Sequence, residues 1–419
     1  MLMHLFNTKL NNFNNFVNDF NLSKKWDGVK VNAGLYKGIQ NVSMSWLWNS
    51  YLQEVSDNNA RMIDVKNALG QSLSPNGLLA YGVPAWGNCC TRNYDTQYDV
   101  TAPYAQIEIN AIEKLSLDFG ARYDIGNVTG SFAGGNGQTA AIDMNGNGNI
   151  DPNEQKVATV GNNITPVDYD YNIFGYSVGA NYSINEKNAV FARISKGGSA
   201  SADRILFSGY NYTNTDDPAL DAVKVNEVKQ LEGGYKLRGA GFYLNTTLFY
   251  ANTLEANYEA TTQRKTENDY QSVGVELDGY YRLNKTFEVR GGLTYTNAEI
   301  KDAIDKTIVG NTPRRTPKLM YNLNPNVNLG KVSTGFFLIG ASKAYAQDNN
   351  SLVMPSYIVV NPYLSYQFTK NLGASINGNN IFDAIGVTEA EEGSIPTNGI
   401  VRGRPLTGRS LSMSLKFDF

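Results

Sequence analysis

Residues 410–419 read SLSMSLKFDF. Apolar side chains occupy every second position from Leu411 to Phe419, and serine, lysine or aspartate fills the positions between them. Successive side chains of a β-strand point to opposite faces, so this stretch predicts a strand with one apolar and one polar face.

The same alternation recurs along the chain. Residues 115–123 read LSLDFGARY, residues 242–250 read FYLNTTLFY and residues 287–295 read FEVRGGLTY. In an amphipathic helix, apolar residues would instead recur three and four positions apart. The sequence therefore predicts an all-β fold. Fifteen strands are predicted, at 14–26, 28–37, 95–109, 115–129, 167–184, 188–197, 225–237, 241–255, 267–283, 287–301, 314–329, 332–345, 353–369, 372–382 and 407–419.

The links between the predicted strands alternate in length. Short turns, such as Asp27-Gly28 and Gly330-Lys331, separate one strand from the next at every second link. The long links are predicted at 40–94, 131–165, 198–224, 257–266, 302–312, 346–352 and 384–408. Short turns at one rim and long loops at the other are typical of outer-membrane barrels. The sequence therefore predicts an antiparallel transmembrane β-barrel with long extracellular loops.

Strand length separates this barrel from a soluble β-sandwich or propeller. Strands of soluble sheets average about five or six residues, whereas many of the predicted strands exceed ten residues and carry aromatic residues near their ends. Such strands are long enough to cross a bilayer at a tilt. No stretch of the chain has the eighteen or so continuous apolar residues that a transmembrane helix needs.

Charge and histidine content argue against nucleic acid binding and against most enzyme classes. The chain has 36 Lys and Arg against 39 Asp and Glu, so no basic surface for nucleic acid is indicated. His4 is the only histidine, which excludes catalytic triads built on histidine and most zinc chemistry. The sequence also shows no phosphate-binding glycine loop and no nucleophile elbow. We predict that the protein is not an enzyme.

Aromatic residues in the long links are the candidate ligand-binding residues. Five are singled out: Trp46, Trp48, Trp86, Tyr210 and Tyr212. Flat rings outside the membrane form platforms for sugar rings or aromatic chelates. Large loops also need apolar anchors in order to fold, and membrane interfaces favour Trp and Tyr. Both interpretations remain open from the sequence.

Arginines near the junctions of loops and strands allow two interpretations as well. They are Arg314, Arg315, Arg402, Arg404 and Arg409. A guanidinium group at such a junction is suited to an anionic ligand. The alternative, which we favour, is that these arginines pair with carboxylates of the protein in a polar lumen.

Four segments resemble motifs of the TonB-dependent outer-membrane receptors. Residues 404–409 and the alternating strand that ends at Phe419 look like that family's C-terminal strand. Residues 379–383, NNIFD, are similar to its penultimate strand. Residues 225–236, VNEVKQLEGGYK, and the preceding 195–204 resemble a strand of the family and the segment that leads into it. The likeness extends over most of residues 14–419.

The resemblance implies a barrel of twenty-two strands around an N-terminal plug domain. The sequence begins without a recognisable signal peptide, TonB box or plug. Residues 1–419 are therefore expected to be an N-terminally truncated barrel domain with about fifteen of the twenty-two strands.

The family likeness also implies a function and partners. The receptor is expected to take up a scarce nutrient, such as an iron chelate, a corrinoid or an oligosaccharide, driven by the TonB complex through the plug. Outer-membrane lipid surrounds the barrel, and Phe419 is expected to be read by the barrel-assembly machinery. The first alternative is a passive porin or adhesin-like barrel, and the less favoured one is a soluble β-rich carbohydrate-binding protein.

One long link carries a possible calcium site. Its residues follow the EF-hand loop pattern, with oxygen ligands at alternating positions, a glycine at the turn and a terminal glutamate. The proposed ligands are Asp143, Asn145, Asn147, Asn149, Asp151 and Glu154. The pattern predicts a structural Ca²⁺ ion in an extracellular loop, although an Asn- and Gly-rich loop can resemble the motif by chance.

We expect this loop to bind Ca²⁺ with a dissociation constant on the order of 10⁻⁴ to 10⁻³ M, because asparagine at several ligand positions lowers the negative charge. Calorimetric titration with millimolar calcium measures the binding. Asp143→Ala removes the first ligand and should abolish the heat. Equal heats from the wild-type and variant proteins would refute the site.

Overall fold

The computed structural model describes most of the chain. It leaves out residues 1, 53–60, 62, 65, 67, 71–77, 80–91, 135–138, 142–147, 151, 153–154, 156, 159–163, 202–204, 207–209, 214–217, 260–263, 391–392, 396–398, 400, 402 and 419. For residues 2–8, 46–52, 78–79, 92, 134, 139–140, 157–158, 258–259 and 264, only the backbone is described.

One antiparallel sheet of fifteen consecutive strands forms the body of the molecule. The strands are β1 Leu2–Trp26, β2 Val29–Leu52, β3 Arg92–Ile112, β4 Leu115–Gly134, β5 Thr165–Asn185, β6 Asn188–Ala200, β7 Val225–Gly239, β8 Phe242–Glu259, β9 Arg264–Arg282, β10 Phe287–Ala303, β11 Leu319–Leu329, β12 Val332–Ala341, β13 Tyr357–Gln367, β14 Leu372–Asn379 and β15 Ser410–Phe417. Each strand pairs with its neighbours in chain order. Among the described residues, no ladder joins β1 to β15.

The strands are connected by tight turns at one rim and by long loops at the other, as the sequence predicts. The turn between β1 and β2 shows why a glycine is needed there. Gly28 has a φ of +71°, and a Cβ atom on it would lie 2.7 Å from the Cα atom of Ala111 on the neighbouring strand. Only glycine satisfies both constraints without strain.

All fifteen predicted strands are present, but several boundaries differ. β2 ends at Leu52, whereas the prediction ends at residue 37. Residues 42–46 do alternate, with Val42, Met44 and Trp46 separated by serines, but the prediction assigned them to the long link. Conversely, β11 begins at Leu319, five residues after the predicted start. Pro317 lies in that interval and cannot donate a hydrogen bond to a sheet ladder, and Arg315 has a φ of +59°, which is not a strand conformation.

Short elements occur within the long links. The helices are α1 Pro218–Asp221 and a 3₁₀ turn at Lys306–Ile308. The short strands are Leu78–Leu79, Thr139–Ala140 with Val157–Ala158, Ala344–Tyr345 with Val353–Met354, and Val387–Ala390 with Gly403–Pro405. Across the described segments, no helix is long and apolar enough to cross a membrane.

The two faces of the sheet differ in chemistry. Directly paired residues of an antiparallel sheet point to the same side. One face, here called the outward face, carries rows of apolar residues; Leu277, for example, pairs with Thr246 on one side and Leu293 on the other. The opposite, inward face is polar: the guanidinium of Arg193 lies 2.9 Å from the carboxylate of Asp118. This division is that of a membrane barrel with a polar lumen.

Aromatic side chains form two bands on the outward face. The band near the short turns comprises Trp26, Tyr182, Tyr235, Phe242, Tyr281, Tyr366, Phe368 and Phe417. The second band comprises Tyr123, Phe174, Tyr250 and Tyr295. Phe174 and Tyr182 are eight residues apart on β5, which spans about 27 Å along a strand. At a tilt of roughly 40°, the bands are about 21 Å apart, close to the height of the apolar band of outer-membrane barrels.

A substitution on the outward face tests which face of the sheet contacts lipid. Leu248 lies between the aromatic bands and is 62% exposed on the outward face. We expect Leu248→Arg to destabilise the assembled barrel by about 1 to 2 kcal/mol, because it places a charge in the apolar layer between the midplane and the second aromatic band. The adjacent variant Thr247→Arg points inward and should cost much less. Urea unfolding in lipid vesicles measures both, and equal losses would contradict the assignment of the faces.

Candidate functional site

The candidate site lies at the rim that carries the long loops. Here the polarity of β5 reverses: its inward residues are buried and apolar, whereas Asp168, Asp170 and Asn172 face outward and are exposed. The loop at 201–224 folds over the inward residues. Together they form a cluster, here called the tyrosine cluster, of Val128, Val167, Tyr169, Tyr171, Ile173, Ile205, Leu206, Tyr212, Leu220, Val223 and Ala256. The lining of the rim is therefore built partly from the wall and partly from the loop.

Tyr212 is the central loop residue of the tyrosine cluster. Its side chain is 1% exposed, and its ring stands edge-on to Phe132 at a centroid distance of 5.6 Å. Its hydroxyl donates a hydrogen bond to the carbonyl of Ile205. Of the two roles that the sequence leaves open for Tyr212, this burial favours that of a loop anchor.

Tyr210 lies at the edge of the same cluster and is only partly buried. Its hydroxyl donates a 2.6 Å hydrogen bond to the carboxylate of Glu267. The ammonium group of Lys265 lies 3.8 Å from the centre of the Tyr210 ring and 3.1 Å from Glu267. These three side chains place a ring face, a cation and an anion together at the rim, which suits a ligand that is both polar and flat.

Lys224 closes the base of the loop. Its ammonium group donates a 2.8 Å hydrogen bond to the carbonyl of Asp170 on β5 and lies 3.2 Å from the carboxylate of Asp221. Ser201, at the other end of the loop, donates to the carbonyl of Val223 at 2.6 Å. The loop therefore leaves and rejoins the wall at one fixed place.

Three other side chains join the loops that follow β10 and β14. The carboxylate of Glu389 lies 2.7 Å from Arg315 and 3.0 Å from Arg404. The Nε atom of Arg315 is buried without a hydrogen-bond partner, whereas the side chain of Arg404 is 75% exposed. Two guanidinium groups share one carboxylate, so this arginine junction retains one formal positive charge. Arg315 and Arg404 thus pair with a carboxylate, as the favoured interpretation of the arginines predicts, but Arg404 still faces water.

Asp348 connects the loops after β10 and β12. It is 8% exposed and accepts a 2.8 Å hydrogen bond from the backbone N–H of Arg314. The side chain of Asn350 hydrogen-bonds both backbone groups of Thr312, at 2.9 and 2.7 Å. Such reciprocal bonds between two loops fix their separation.

Tyr270 lies next to this contact, above the second aromatic band and outside the membrane-spanning part of β9. Its hydroxyl accepts a 2.8 Å hydrogen bond from Asn268. Burial raises the pKa of Tyr270 to about 12. The phenol is therefore neutral at physiological pH and adds no negative charge to the rim.

Several predicted site residues lie outside the described part of the chain. Trp86 and Arg402 are among them, as are five of the proposed calcium ligands: Asp143, Asn145, Asn147, Asp151 and Glu154. Trp46 and Trp48 belong to β2, but their side chains are not described. Asn149 lies in an exposed bend. Calcium binding by this loop stays a prediction.

The partners of these groups were not predictable from the sequence. Lys265, Glu267, Asp348 and Glu389 carry no local motif, and each meets its partner across a loop or across two loops. In the sequence, only the positions of Arg315 and Arg404 near the ends of predicted strands indicated a possible site. Contacts between loops depend on how the wall brings distant segments to one rim, which the linear pattern does not specify.

The sequence matches the family described as "TonB dependent receptor-like, beta-barrel" over residues 4–381. It is 26% identical over 227 residues to the rhizobactin receptor of Rhizobium meliloti (strain 1021), a match that covers 50% of this chain and 28% of that protein. It is 28% identical over 200 residues to the ferrichrome outer membrane transporter/phage receptor of Escherichia coli (strain K12), covering 42% and 26%.

A solved structure has the same fold. The ferric yersiniabactin uptake receptor from Yersinia pestis aligns with a TM-score of 0.70 and 15% identity, over 100% of this chain and 55% of that one. The chain thus spans about a quarter of the length of the curated relatives and about half of this structure. These matches favour a receptor barrel over the porin, adhesin and soluble alternatives. The chain belongs to the TonB-dependent receptors, which are outer-membrane transport receptors of Gram-negative bacteria and not enzymes.

Proposed function

We propose that the protein takes part in TonB-dependent uptake of a ferric chelate. The observation that supports this most is the similarity of the chain to the rhizobactin receptor and the ferrichrome transporter. In this proposal the chelate is captured at the long-loop rim. Import is then driven by the TonB complex acting on a plug domain, while lipid surrounds the wall. A corrinoid or an oligosaccharide is the competing kind of cargo.

The chemistry of the rim is compatible with a ferric chelate. Ferric iron is a hard cation held by oxygen donors, so its chelates present oxygen-rich and commonly anionic surfaces. At the arginine junction, the guanidinium of Arg404 is exposed, and Arg315, Arg404 and Glu389 together carry one formal positive charge. Tyr210 and Lys265 offer a ring and an ammonium group at a second position. Charged hydrogen bonds to guanidinium are strong and directional.

A panel of cargoes tests the proposal. The protein is purified from outer membranes, and its tryptophan fluorescence is followed during titration with a ferric hydroxamate, a ferric catecholate, a corrinoid and a linear oligosaccharide. We expect saturable quenching by one of the ferric chelates. A gene deletion should then slow growth on that chelate as the only iron source. Saturable binding of the corrinoid or the sugar alone would overturn the choice of cargo.

Arg404 provides the first test of the rim. We expect Arg404→Gln to weaken binding of the ferric chelate by about tenfold or more, because it removes a charged hydrogen-bond donor. Lys416→Gln serves as the control, since Lys416 is an equally exposed cation on β15 near the short turns. Equal affinities for the two variants would exclude Arg404 from the binding surface.

Tyr212 tests whether the loop anchor supports capture. We expect Tyr212→Ala to destabilise the loop locally by roughly 3 to 5 kcal/mol, because a buried aromatic ring is lost. Hydrogen exchange of residues 218–224 should accelerate, and ligand affinity should fall with it. Tyr212→Phe keeps the ring and loses only one hydrogen bond, so its effect should be about 1 kcal/mol. Unchanged exchange in Tyr212→Ala would contradict the anchor role.

A further inference from the structure

Two glycines on neighbouring strands leave the backbone of the wall without side chains at one place on its outward face. Gly279 of β9 pairs directly with Gly291 of β10. Their rows continue on both sides into leucines, with Leu244 next to Gly279 and Leu323 next to Gly291. Since direct partners share a face, both glycines point outward, toward lipid. The missing side chains leave a depression between bulky neighbours.

This depression is a groove of about 580 Å³. Its walls are mostly apolar and include Phe242, Leu277, Tyr281 and Leu293, and Arg290 and Asn322 also line it. Phe242 and Tyr281 belong to the aromatic band near the short turns, so the groove lies in the third of the wall that faces the inner leaflet. An apolar groove in a bilayer contains no stable water and is filled by hydrocarbon, because an empty space would forfeit dispersion contacts.

The shape of the groove favours one chain lying against the backbone. Between apolar partners in a membrane, association depends on close packing, and small residues allow a partner to approach the backbone. Directly opposed glycines provide such a line of approach on this wall. By contrast, the outward glycine Gly340 is covered by a ring of the protein itself, since the position of a Cβ on it lies 2.2 Å from the ring of Tyr321.

A cation lies at the end of the same hairpin. The turn that joins β9 to β10 carries Lys285, which is exposed. Leu283, just before it, is 60% exposed on the outward side and continues the apolar wall to the rim. Gly279 and Lys285 are six residues apart, so their Cα atoms lie within roughly 20 Å of each other. That distance suits a lipid whose chain occupies the groove and whose phosphate lies at the interface.

We propose that the groove over Gly279 and Gly291 binds one acyl chain of an anionic glycerophospholipid of the inner leaflet, with its phosphate at Lys285. The chain packs against the glycine backbone. A cation near an anionic lipid surface strengthens attachment. Other short turns also carry a lysine, among them Lys187 and Lys331, so the groove is what distinguishes this hairpin. The site is distinct from the ligand-binding rim at the opposite end of the wall.

The chain offers a closely matched pair of variants. A Cβ on Gly279 would have its nearest neighbour at 3.6 Å, and a Cβ on Gly233 would also have its nearest neighbour at 3.6 Å. Gly233 faces outward on β7 but lies outside the groove lining. Gly279→Leu therefore fills the groove, whereas Gly233→Leu adds the same side chain at a comparable position of the wall. Heat-modifiable migration in gels verifies that both variants are assembled.

Native mass spectrometry of the protein purified from outer membranes in mild detergent measures the bound lipid. With added phosphatidylglycerol, we expect one retained lipid on the wild-type and Gly233→Leu proteins and background retention on Gly279→Leu. Equal retention by the two leucine variants would overturn the proposal, and so would loss of the lipid from both.

Lys285→Gln tests the headgroup contact. It should lower the preference for phosphatidylglycerol over phosphatidylcholine by about fivefold, while one chain is still retained. Lys331→Gln, at the tip of a neighbouring hairpin, is the control and should leave the preference unchanged. Equal retention of both lipids by the wild-type protein would overturn the assignment of an anionic headgroup.

Discussion

The backbone hydrogen bond is the constraint on which this molecule depends. Inside a bilayer no water can satisfy an N–H or C=O group, so each strand must bond to a neighbour along its whole membrane-spanning length. Thirteen of the fifteen described strands meet this requirement with a neighbour on both sides, whereas β1 and β15 each have one described neighbour. Once the backbone is paired, side chains alternate between lipid and lumen, and this alternation places both the aromatic bands and the inward ion pair of Arg193 and Asp118.

The same constraint explains how much of the fold could be predicted from sequence. Within the membrane the two faces meet different surroundings, so stretches such as 287–295 alternate clearly and β10 begins where predicted. The extension of β2 to Leu52 was missed although Val42, Met44 and Trp46 continue the alternation, because these residues were assigned to a long link. The family likeness rested on the order of motifs along the chain. This order is kept when loops vary, because each strand that carries a motif is paired with its neighbours in chain order.

The candidate site was predictable only in part, for a different reason. Tyr210 and Tyr212 were identified as residues of interest, but their sequence gave no way to separate an anchor from a contact. That separation comes from burial, which places Tyr212 inside the tyrosine cluster and leaves Tyr210 at its edge. Glu389 was missed because its role depends on contacts with two arginines from different loops, which no local sequence pattern indicates. Such pairs are created by the wall, which brings distant segments to one rim.

The reversal of polarity along β5 has a consequence for the way loops of this molecule can be exchanged. Above the membrane, Val167, Tyr169, Tyr171 and Ile173 supply four of the eleven residues of the tyrosine cluster under the loop at 201–224. The loop therefore does not fold as an independent unit, because part of its hydrophobic core is supplied by residues of the wall. A transplant of residues 201–224 to another barrel would need these four β5 positions with it, so loop and wall must evolve together at this rim.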